Sequence, residues 1–399
     1  MPLELSEKAK RVKPSSTLQL TAKAKAMRAE GINVVGFVAG EPDFDTPRNI
    51  CDAAVEAIYE GYTKYTAASG APELKEAIAE KYRTVNHVEY KPSQIVVSNG
   101  GKHALINTMM ALLNPGDEVI IPSPYWLSYP EMVMIADGVP VYIDALKSND
   151  YKITPEQLAA AITPKTKAFV FNSPSNPTGM VYTREEMEAL AKVIVDHDIY
   201  VIADEIYEYL VYGDTEHVSM ASLNDEIYKR TITCNGVAKS YSMTGWRIGY
   251  VCAPKEIAKL ISSLQSHCTS NPCSVSQKAA YEALTGSQKA VEIMRREFAK
   301  RGEVIYERIS EIDLLEAVKP EGAFYLFVDC SNLCGKEYKG EVIKDAAKIA
   351  EILLNDYRVA VIPCGDFGAP QHIRLSYAIS MEHIEEGVRR IKKFADQYK

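Results

Sequence analysis

Polar side chains that could react or bind a ligand follow three short apolar runs of the chain. Asn176 lies just beyond Thr166–Asn172, Asp204 ends the run that begins at Tyr200, and Lys239 follows the run that ends at Asn235. A carboxylate after a buried strand needs a partner or a ligand, because an isolated buried charge is costly. A desolvated lysine near another cation has a lowered pKa and becomes an amine nucleophile. For Asp204, capping of a helix N-terminus is the alternative.

The loop around Asn176 is stiffened by Pro174, Pro177 and Gly179. Such a loop could aim the Asn176 amide at a ligand oxygen, and a plain proline turn is the alternative. Tyr207, three residues after Asp204, adds a phenol at the same place in the pattern.

The segment Gly100-Gly101-Lys102 stands where a strand ends and a helix begins. Free N–H groups, the helix dipole and the glycines suit a bound anion such as phosphate. The segment is not a P-loop, because His103 follows Lys102, and a tight turn is the alternative. Arg247, beyond Lys239, could hold a phosphate through two parallel hydrogen bonds.

Arg374 occurs within an otherwise apolar run near the C-terminal end, Gln371–Ser376. An arginine in this setting is either a structural ion pair or a group that binds a carboxylate. The sequence pattern alone leaves both readings open.

The elements that position these residues alternate between short apolar strands and helices. The pattern predicts a parallel sheet covered on both faces by helices. Helices are predicted over Lys102–Leu113 and Arg184–Asp196, and the predicted strands are Gln94–Ser98, Glu118–Pro122, Val139–Ile143, Thr166–Asn172, Tyr200–Asp204, Arg230–Asn235 and Arg247–Cys252.

The pattern changes after Gly286, where a smaller α+β domain is predicted. Its elements are helices Ser287–Ile312, Ile343–Asn355 and one from Met381, with strands Phe324–Val328, Arg358–Ile362 and His372–Ala378. Helix Ser16–Glu30 is expected to pack with this domain. The resulting division is an arm at 1–13, a large domain at 48–286 and a small domain made of 14–47 and 287–399.

In a doubly wound sheet, the strand ends meet at one crevice. The crevice would then contain groups for a single cofactor: Lys239 for an aldehyde, Asn176 and Tyr207 for a phenolate oxygen, and Asp204 for a pyridinium nitrogen. Gly100, Gly101 and Arg247 would bind its phosphate.

Composition and residue spacing argue against several other classes of protein. Basic and acidic residues number 45 and 53 and are well mixed, so no basic patch indicates binding to nucleic acid or to a membrane. The chain shows no signal-peptide pattern and no apolar run long enough to span a bilayer, so a cytoplasmic protein is expected. The 8 cysteines and 7 histidines show no disulfide or zinc spacing, so no metal site is predicted.

Taken in order, the motifs resemble the class I aminotransferases of pyridoxal 5′-phosphate (PLP) fold type I, and specifically subgroup Ib, the group of bacterial aspartate aminotransferases. The resemblance covers essentially the whole chain. It rests on Lys13-Pro14-Ser15, Gly40–Pro47, Tyr65, Gly100-Gly101-Lys102, Ser123–Trp126, Asn176–Gly179, Asp204–Tyr207, Lys239, Gly245–Gly249 and Arg374–Tyr377.

The resemblance implies roles for these residues. Lys239 carries the cofactor as a Schiff base and then moves the proton, Asp204 keeps the pyridine nitrogen protonated, and Trp126 stacks on the ring. Tyr65 reaches the phosphate of the neighbouring subunit, which implies a homodimer with shared sites. The substrate carboxylate is bound by Arg374 with Asn176 and the Gly40 backbone.

The same resemblance implies that Lys102 reads the distal carboxylate of a dicarboxylic substrate, in a pocket lined by Thr17 and Lys13. The expected reaction is amino transfer from aspartate to 2-oxoglutarate by a ping-pong route. Aromatic amino acid or prephenate transamination and β-elimination are enzymatic alternatives, and a non-catalytic PLP-binding regulator is an alternative of another class.

One position departs from the family pattern. Many relatives carry a phosphate-binding serine three residues before the lysine, where this chain has Gly236. A neighbouring hydroxyl such as that of Ser242 is a candidate replacement.

Overall fold

The structure is a computed structural model that describes residues 3–398. The α-helices of these residues, in chain order, are α1 (Glu7–Arg11), α2 (Ser16–Ala29), α3 (Arg48–Tyr59), α4 (Pro72–Lys81), α5 (Gly101–Leu112), α6 (Ser128–Ile135), α7 (Pro155–Ala161), α8 (Arg184–Asp196), α9 (Asp225–Tyr228), α10 (Lys255–Cys268), α11 (Ser274–Thr285), α12 (Lys289–Ser310), α13 (Ala346–Tyr357) and α14 (Met381–Ala395). The strands are β1 (Val35–Gly36), β2 (Ile95–Ser98), β3 (Glu118–Ser123), β4 (Val139–Asp144), β5 (Thr166–Asn172), β6 (Tyr200–Asp204), β7 (Thr231–Gly236), β8 (Gly249–Cys252), β9 (Glu316–Ala317), β10 (Tyr325–Asp329), β11 (Glu337–Tyr338), β12 (Glu341–Val342), β13 (Val359–Ala360), β14 (Ile362–Pro363) and β15 (His372–Ser376).

The central sheet has seven strands in the order β2-β8-β7-β6-β5-β3-β4. All seven were predicted, and the five strands from β7 to β4 pair in parallel. β8 runs antiparallel to both of its neighbours. The connection 237–248 contains no α-helix, whereas a parallel return normally requires a helical crossover. The sheet is therefore mostly, not wholly, parallel.

Helices cover both faces of this sheet because neighbouring residues of each strand point to opposite faces. In β6, Ile202 joins a core cluster with residues of α5, α6 and α10. Val201 and Ala203 join the opposite cluster, with residues of α7 and α8. Burial on both faces explains why the strands are nearly continuous apolar runs.

A second, antiparallel sheet has the order β14-β15-β10-β9. Its core cluster includes side chains of α12, α13 and α14, such as Phe298, Ile349 and Ile391. From α2, Ala24 is buried in a further cluster with Phe327 and Leu354 of this unit. The domain boundaries given above remain a prediction.

Two features of this region differ from the sequence expectation. The strand predicted at Arg358–Ile362 is two strands, since β13 pairs with β1 and β14 pairs with β15. The helix predicted from Ile343 begins at Ala346, because the Asp345 side chain accepts the Lys348 N–H at 3.1 Å and caps it. In the chain as a whole, helices α1, α3, α4, α6, α7, α9, α10 and α11 were not predicted.

The antiparallel strand β8 packs its backbone closely against the glycine turn before α5. A Cβ atom on Gly249 would overlap backbone atoms of Gly100 and Gly101. Gly249→Ala is expected to lower the free energy of unfolding by about 1–3 kcal/mol, because backbone rather than a flexible side chain must move. Urea and thermal denaturation measure the change. Gly365→Ala is the control, since no atom lies within 4 Å of its added Cβ; equal stability of the two variants would contradict the prediction.

Candidate active site

The carboxyl ends of β5, β6 and β7 open into a cavity of about 250 Å³. This cavity collects most of the side chains singled out from the sequence. Its lining includes Thr17, Gly40, Gly101, Lys102, Trp126, Asn176, Asp204, Tyr207, Lys239, Arg247 and Arg374. Gly100, Tyr65 and Lys13 do not line it.

Lys239 lies beyond the end of β7, and its ammonium donates a hydrogen bond to the Gly40 carbonyl. Burial lowers the pKa of Lys239 to about 8; the positive charges of Arg374 and Arg247 act in the same direction, while Glu41 and Asp204 oppose them. About one tenth of this amine is therefore uncharged and nucleophilic at pH 7, a far larger share than for a lysine of ordinary pKa.

Asp204 ends β6 and is buried beside Cys234 of β7. The Tyr129 hydroxyl donates to Asp204 Oδ2 at 2.7 Å, and the Ile206 N–H donates to Oδ1 at 3.2 Å. Burial raises the pKa of Asp204 to about 6, and these two hydrogen bonds oppose the rise. The carboxylate is thus ionised at neutral pH. No α-helix begins at this turn, so Asp204 is not a helix cap.

Arg374 is 2% exposed and lies on β15 of the second sheet. Its Nη1 donates to Asn176 Oδ1 at 2.8 Å, and its guanidinium packs over the Tyr325 ring at 4.3 Å from the centroid. Within residues 3–398, Nε and Nη2 have no hydrogen-bond partner and no carboxylate pairs with the group. The structural ion pair considered above is therefore absent, and two N–H directions are free for a carboxylate.

Asn176 and Tyr207, which line the cavity together with Arg374, are themselves held by hydrogen bonds. The Asn176 N–H donates to Asn172 Oδ1 at 2.9 Å, which fixes the loop after β5. The hydroxyl of Tyr207 lies 2.9 Å from that of Tyr325, so the two phenols share a hydrogen bond.

The glycine turn before α5 packs against Arg247. Gly100 has φ 87°, in the left-handed region that favours glycine, and an added Cβ would collide with the Arg247 guanidinium. Gly101 begins α5, so the free N–H groups of its first turn face the same corner. Backbone donors, a helix N-terminus and an arginine together form an anion site.

The structure explains the glycine at position 236. A Cβ there would lie 2.8 Å from the Ile248 carbonyl oxygen and 2.9 Å from Gly249 Cα, so a serine does not fit without backbone movement. Ser242 does not replace it, because its hydroxyl donates to Met294 Sδ and lies outside the cavity. Thr244 does line the cavity, and its hydroxyl donates to Glu41 Oε2 at 2.7 Å.

Lys102 also lines the cavity, with Nζ 4.8 Å from the Trp126 ring centroid. Burial, and then the charge of Arg247, lower its pKa below the ordinary value. The Thr17 hydroxyl is buried without a hydrogen-bond partner among the described residues. Lys13 is exposed and only its backbone N–H contacts the large unit, at Glu131. Tyr65 is 90% exposed.

Four residues of the site were not predicted: Tyr129, Tyr325, Glu41 and Thr244. Tyr129 lies in the first turn of α6, and its ring meets that of Trp126, just before the helix, edge-on with centroids 5.4 Å apart. Nothing in the sequence marks Tyr325 apart from other aromatic strand residues. Glu41 lies within the motif Gly40–Pro47 and Thr244 directly precedes the motif Gly245–Gly249, but their mutual hydrogen bond is visible only in the fold.

Comparison with known proteins identifies the class. Residues 32–391 match the model of the family described as aminotransferase class I and II, and the chain belongs to that family. It is an aminotransferase with an α/β fold of type I.

Individual relatives show which aminotransferases the chain is similar to. The chain is 52% identical over 390 residues to a protein named aspartate aminotransferase from Bacillus sp. (strain YM-2), covering 98% of each. It is 48% identical to one named aspartate/prephenate aminotransferase from Cereibacter sphaeroides, again over 98% of each. The solved aspartate aminotransferase of Rhizobium meliloti has a TM-score of 0.95 at 42% identity, covering 99% of both chains.

Among residues 3–398, no helix combines the length and apolar character needed to cross a bilayer.

The bond from Tyr129 to Asp204 gives a testable consequence. Tyr129→Phe removes a hydrogen bond to the charged carboxylate, so the pKa of Asp204 is expected to rise above about 6. The readout is the ¹³C-carboxyl titration of aspartate-labelled, cofactor-free protein, with Asp204→Asn identifying the resonance. Tyr125→Phe is the control, because Tyr125 does not contact Asp204 but stacks on Tyr142. An unchanged or lowered pKa in Tyr129→Phe would refute this account.

Proposed function

We propose that the protein is a PLP-dependent aspartate aminotransferase, which moves the amino group of aspartate to 2-oxoglutarate and yields oxaloacetate and glutamate. One observation carries the proposal: Lys239, Asp204 and the partly unpaired guanidinium of Arg374 line the same cavity.

The residues present fit PLP. Gly100, Gly101, the first turn of α5 and Arg247 offer donors to a phosphate, and Asp204 offers a carboxylate that stays charged above about pH 6. PLP supplies an aldehyde that takes up the amino group and a protonated ring that accepts the electron pair released at the substrate α-carbon.

The protein's own groups supply the remaining steps. Arg374 and Asn176 bind the substrate α-carboxylate through two parallel hydrogen bonds, which orients the Cα–H bond. Lys239 would hold the cofactor through its aldehyde, and its amine would accept the proton released at the substrate Cα. Asp204 would face the ring nitrogen and keep it protonated. Asn176 and Tyr207 would hold the ring oxygen, and Trp126 would pack on the ring.

Side-chain selection is assigned to Lys102. A partly desolvated ammonium that lines the same cavity as Arg374 favours a second carboxylate, as in aspartate, glutamate and their oxo acids. Thr17 adds to this cavity a buried hydroxyl without a hydrogen-bond partner among the described residues. Lys13 lies outside the cavity, so its predicted contact with substrate is the least supported of these assignments.

A second candidate is transamination of prephenate or an aromatic amino acid. Leu18, Leu105 and Trp126 also line the cavity and present apolar surface to a ring. The relative from Cereibacter sphaeroides carries the name aspartate/prephenate aminotransferase.

Assembly and location are proposed with the same function. We infer a homodimer, in which the exposed Tyr65 would contact the phosphate of the neighbouring subunit. A cytoplasmic location is proposed from the sequence.

The half-reaction with aspartate tests the proposal. When aspartate alone is added to PLP-loaded enzyme, the visible absorbance of the cofactor is expected to fall and one oxaloacetate to form per site. Lys239→Ala should retain bound PLP but form product at a rate lower by at least about 10³-fold, since the proton-transfer group is lost. Absence of oxaloacetate would reject the function. Subsequent addition of prephenate or 2-oxoglutarate shows which oxo acid restores the absorbance.

Lys102→Met is expected to lower kcat/KM for aspartate about tenfold or more, because one charge pair with the distal carboxylate is lost. The value for phenylalanine should change far less. Steady-state assays with both donors measure the ratio, and Lys25→Met is the control, because Lys25 is exposed on α2. Equal losses for the two donors would show that Lys102 does not select the side chain.

A further inference from the structure

The segment that follows β6 presents side chains in two directions. Asp204 and Tyr207 line the active-site cavity. Glu205 and Glu208 do not; they lie together with His217 in a separate cluster. Glu205 is 0% exposed, Glu208 is 6% exposed, and the His217 side chain is 7% exposed.

Several polar atoms of this cluster lack partners. Glu205 Oε1 accepts from the Ser219 hydroxyl at 2.9 Å and from the Met220 N–H at 3.1 Å. Glu205 Oε2 and both ring nitrogens of His217 have no hydrogen-bond partner within residues 3–398. Buried polar atoms without partners are costly, so an occupant that satisfies them is favoured.

The unpartnered atoms face one another. His217 Nε2 lies 3.5 Å from Glu205 Oε2, and one ligand atom from each of Glu205, Glu208 and His217 lies within 4.8 Å of the other two. Two carboxylate oxygens and one imidazole nitrogen form a ligand set suited to divalent transition ions.

The cluster borders a second cavity of about 540 Å³, which is lined by Glu208, His217 and Ser219. Glu205 does not line this cavity and is 0% exposed, so an ion that enters from the cavity would meet Glu208 and His217 first. Water in the cavity would supply the remaining ligands. The cavity does not include the active-site residues described above.

We propose that Glu205, Glu208 and His217 bind a divalent transition-metal ion such as Zn²⁺. Ligand distances of about 2.0–2.2 Å require the three side chains to draw together on binding. Lys81 and Asn86 oppose this, because the Lys81 ammonium pairs with Glu208 Oε1 in a buried salt bridge and the Asn86 amide donates to Glu208 Oε2 at 3.0 Å. The affinity for the ion therefore depends on how readily it displaces these two partners of Glu208. No metal site was predicted from the sequence, because these ligands follow no standard zinc spacing.

Metal binding to the full-length, PLP-loaded enzyme tests the proposal. Equilibrium dialysis against Zn²⁺ should give one His217-dependent ion per chain, and Co²⁺ should give a visible spectrum of oxygen and nitrogen ligation. His217→Gln is expected to weaken this binding by about tenfold or more. His87→Asn is the matched control, because His87 is exposed at the rim of the same cavity and asparagine tolerates its positive φ of 57°.

The outcomes separate clearly. Equal binding by the wild type and His217→Gln, or a cobalt spectrum showing thiolate ligation alone, would overturn the site and place the ion elsewhere. Glu205→Gln provides a second variant of nearly unchanged shape, and it should lose the same ion. Aminotransferase activity is not the readout, so failure of the metal site and failure of the proposed function remain distinguishable.

Discussion

Burial of two opposite charges in one cavity, without a hydrogen bond between them, is the constraint on which the site depends. Desolvation moves the pKa of Lys239 down to about 8 and that of Asp204 up to about 6. Had the two side chains paired directly, each would be held in its charged form and neither would be available to a ligand. They remain separate because Lys239 bonds to Gly40 and Asp204 bonds to Tyr129.

The fold maintains this separation through neighbouring strands. Asp204 ends β6 and Lys239 follows β7, while Arg374 comes from the second sheet. The glycine contacts at Gly100, Gly236 and Gly249 allow β8 and the turn before α5 to approach so closely that side chains are excluded. Backbone N–H groups are thereby left to face an anion.

Much of this could be predicted from sequence, for physical reasons. Doubly buried strands such as Thr166–Asn172 are continuous apolar runs, and polar residues directly after them meet at one sheet edge. The direction of β8 could not be predicted, because apolar runs carry no information on orientation. Tyr129 and Tyr325 could not be found, since their roles depend on hydrogen bonds to Asp204 and Tyr207, which lie 75 and 118 residues away in the chain. Glu205, Glu208 and His217 lie near one another in the chain, but their spacing matches no standard zinc motif, so this cluster was not predicted either.

The bond between Arg374 and Asn176 crosses from the second sheet to the loop after β5 of the central sheet. Under the proposed function, a substrate held by Arg374 and reacting beside Lys239 would therefore bridge the second sheet and the central sheet. The distance between its bound carboxylate and its reacting carbon would then depend on how firmly these two sheets are held against each other.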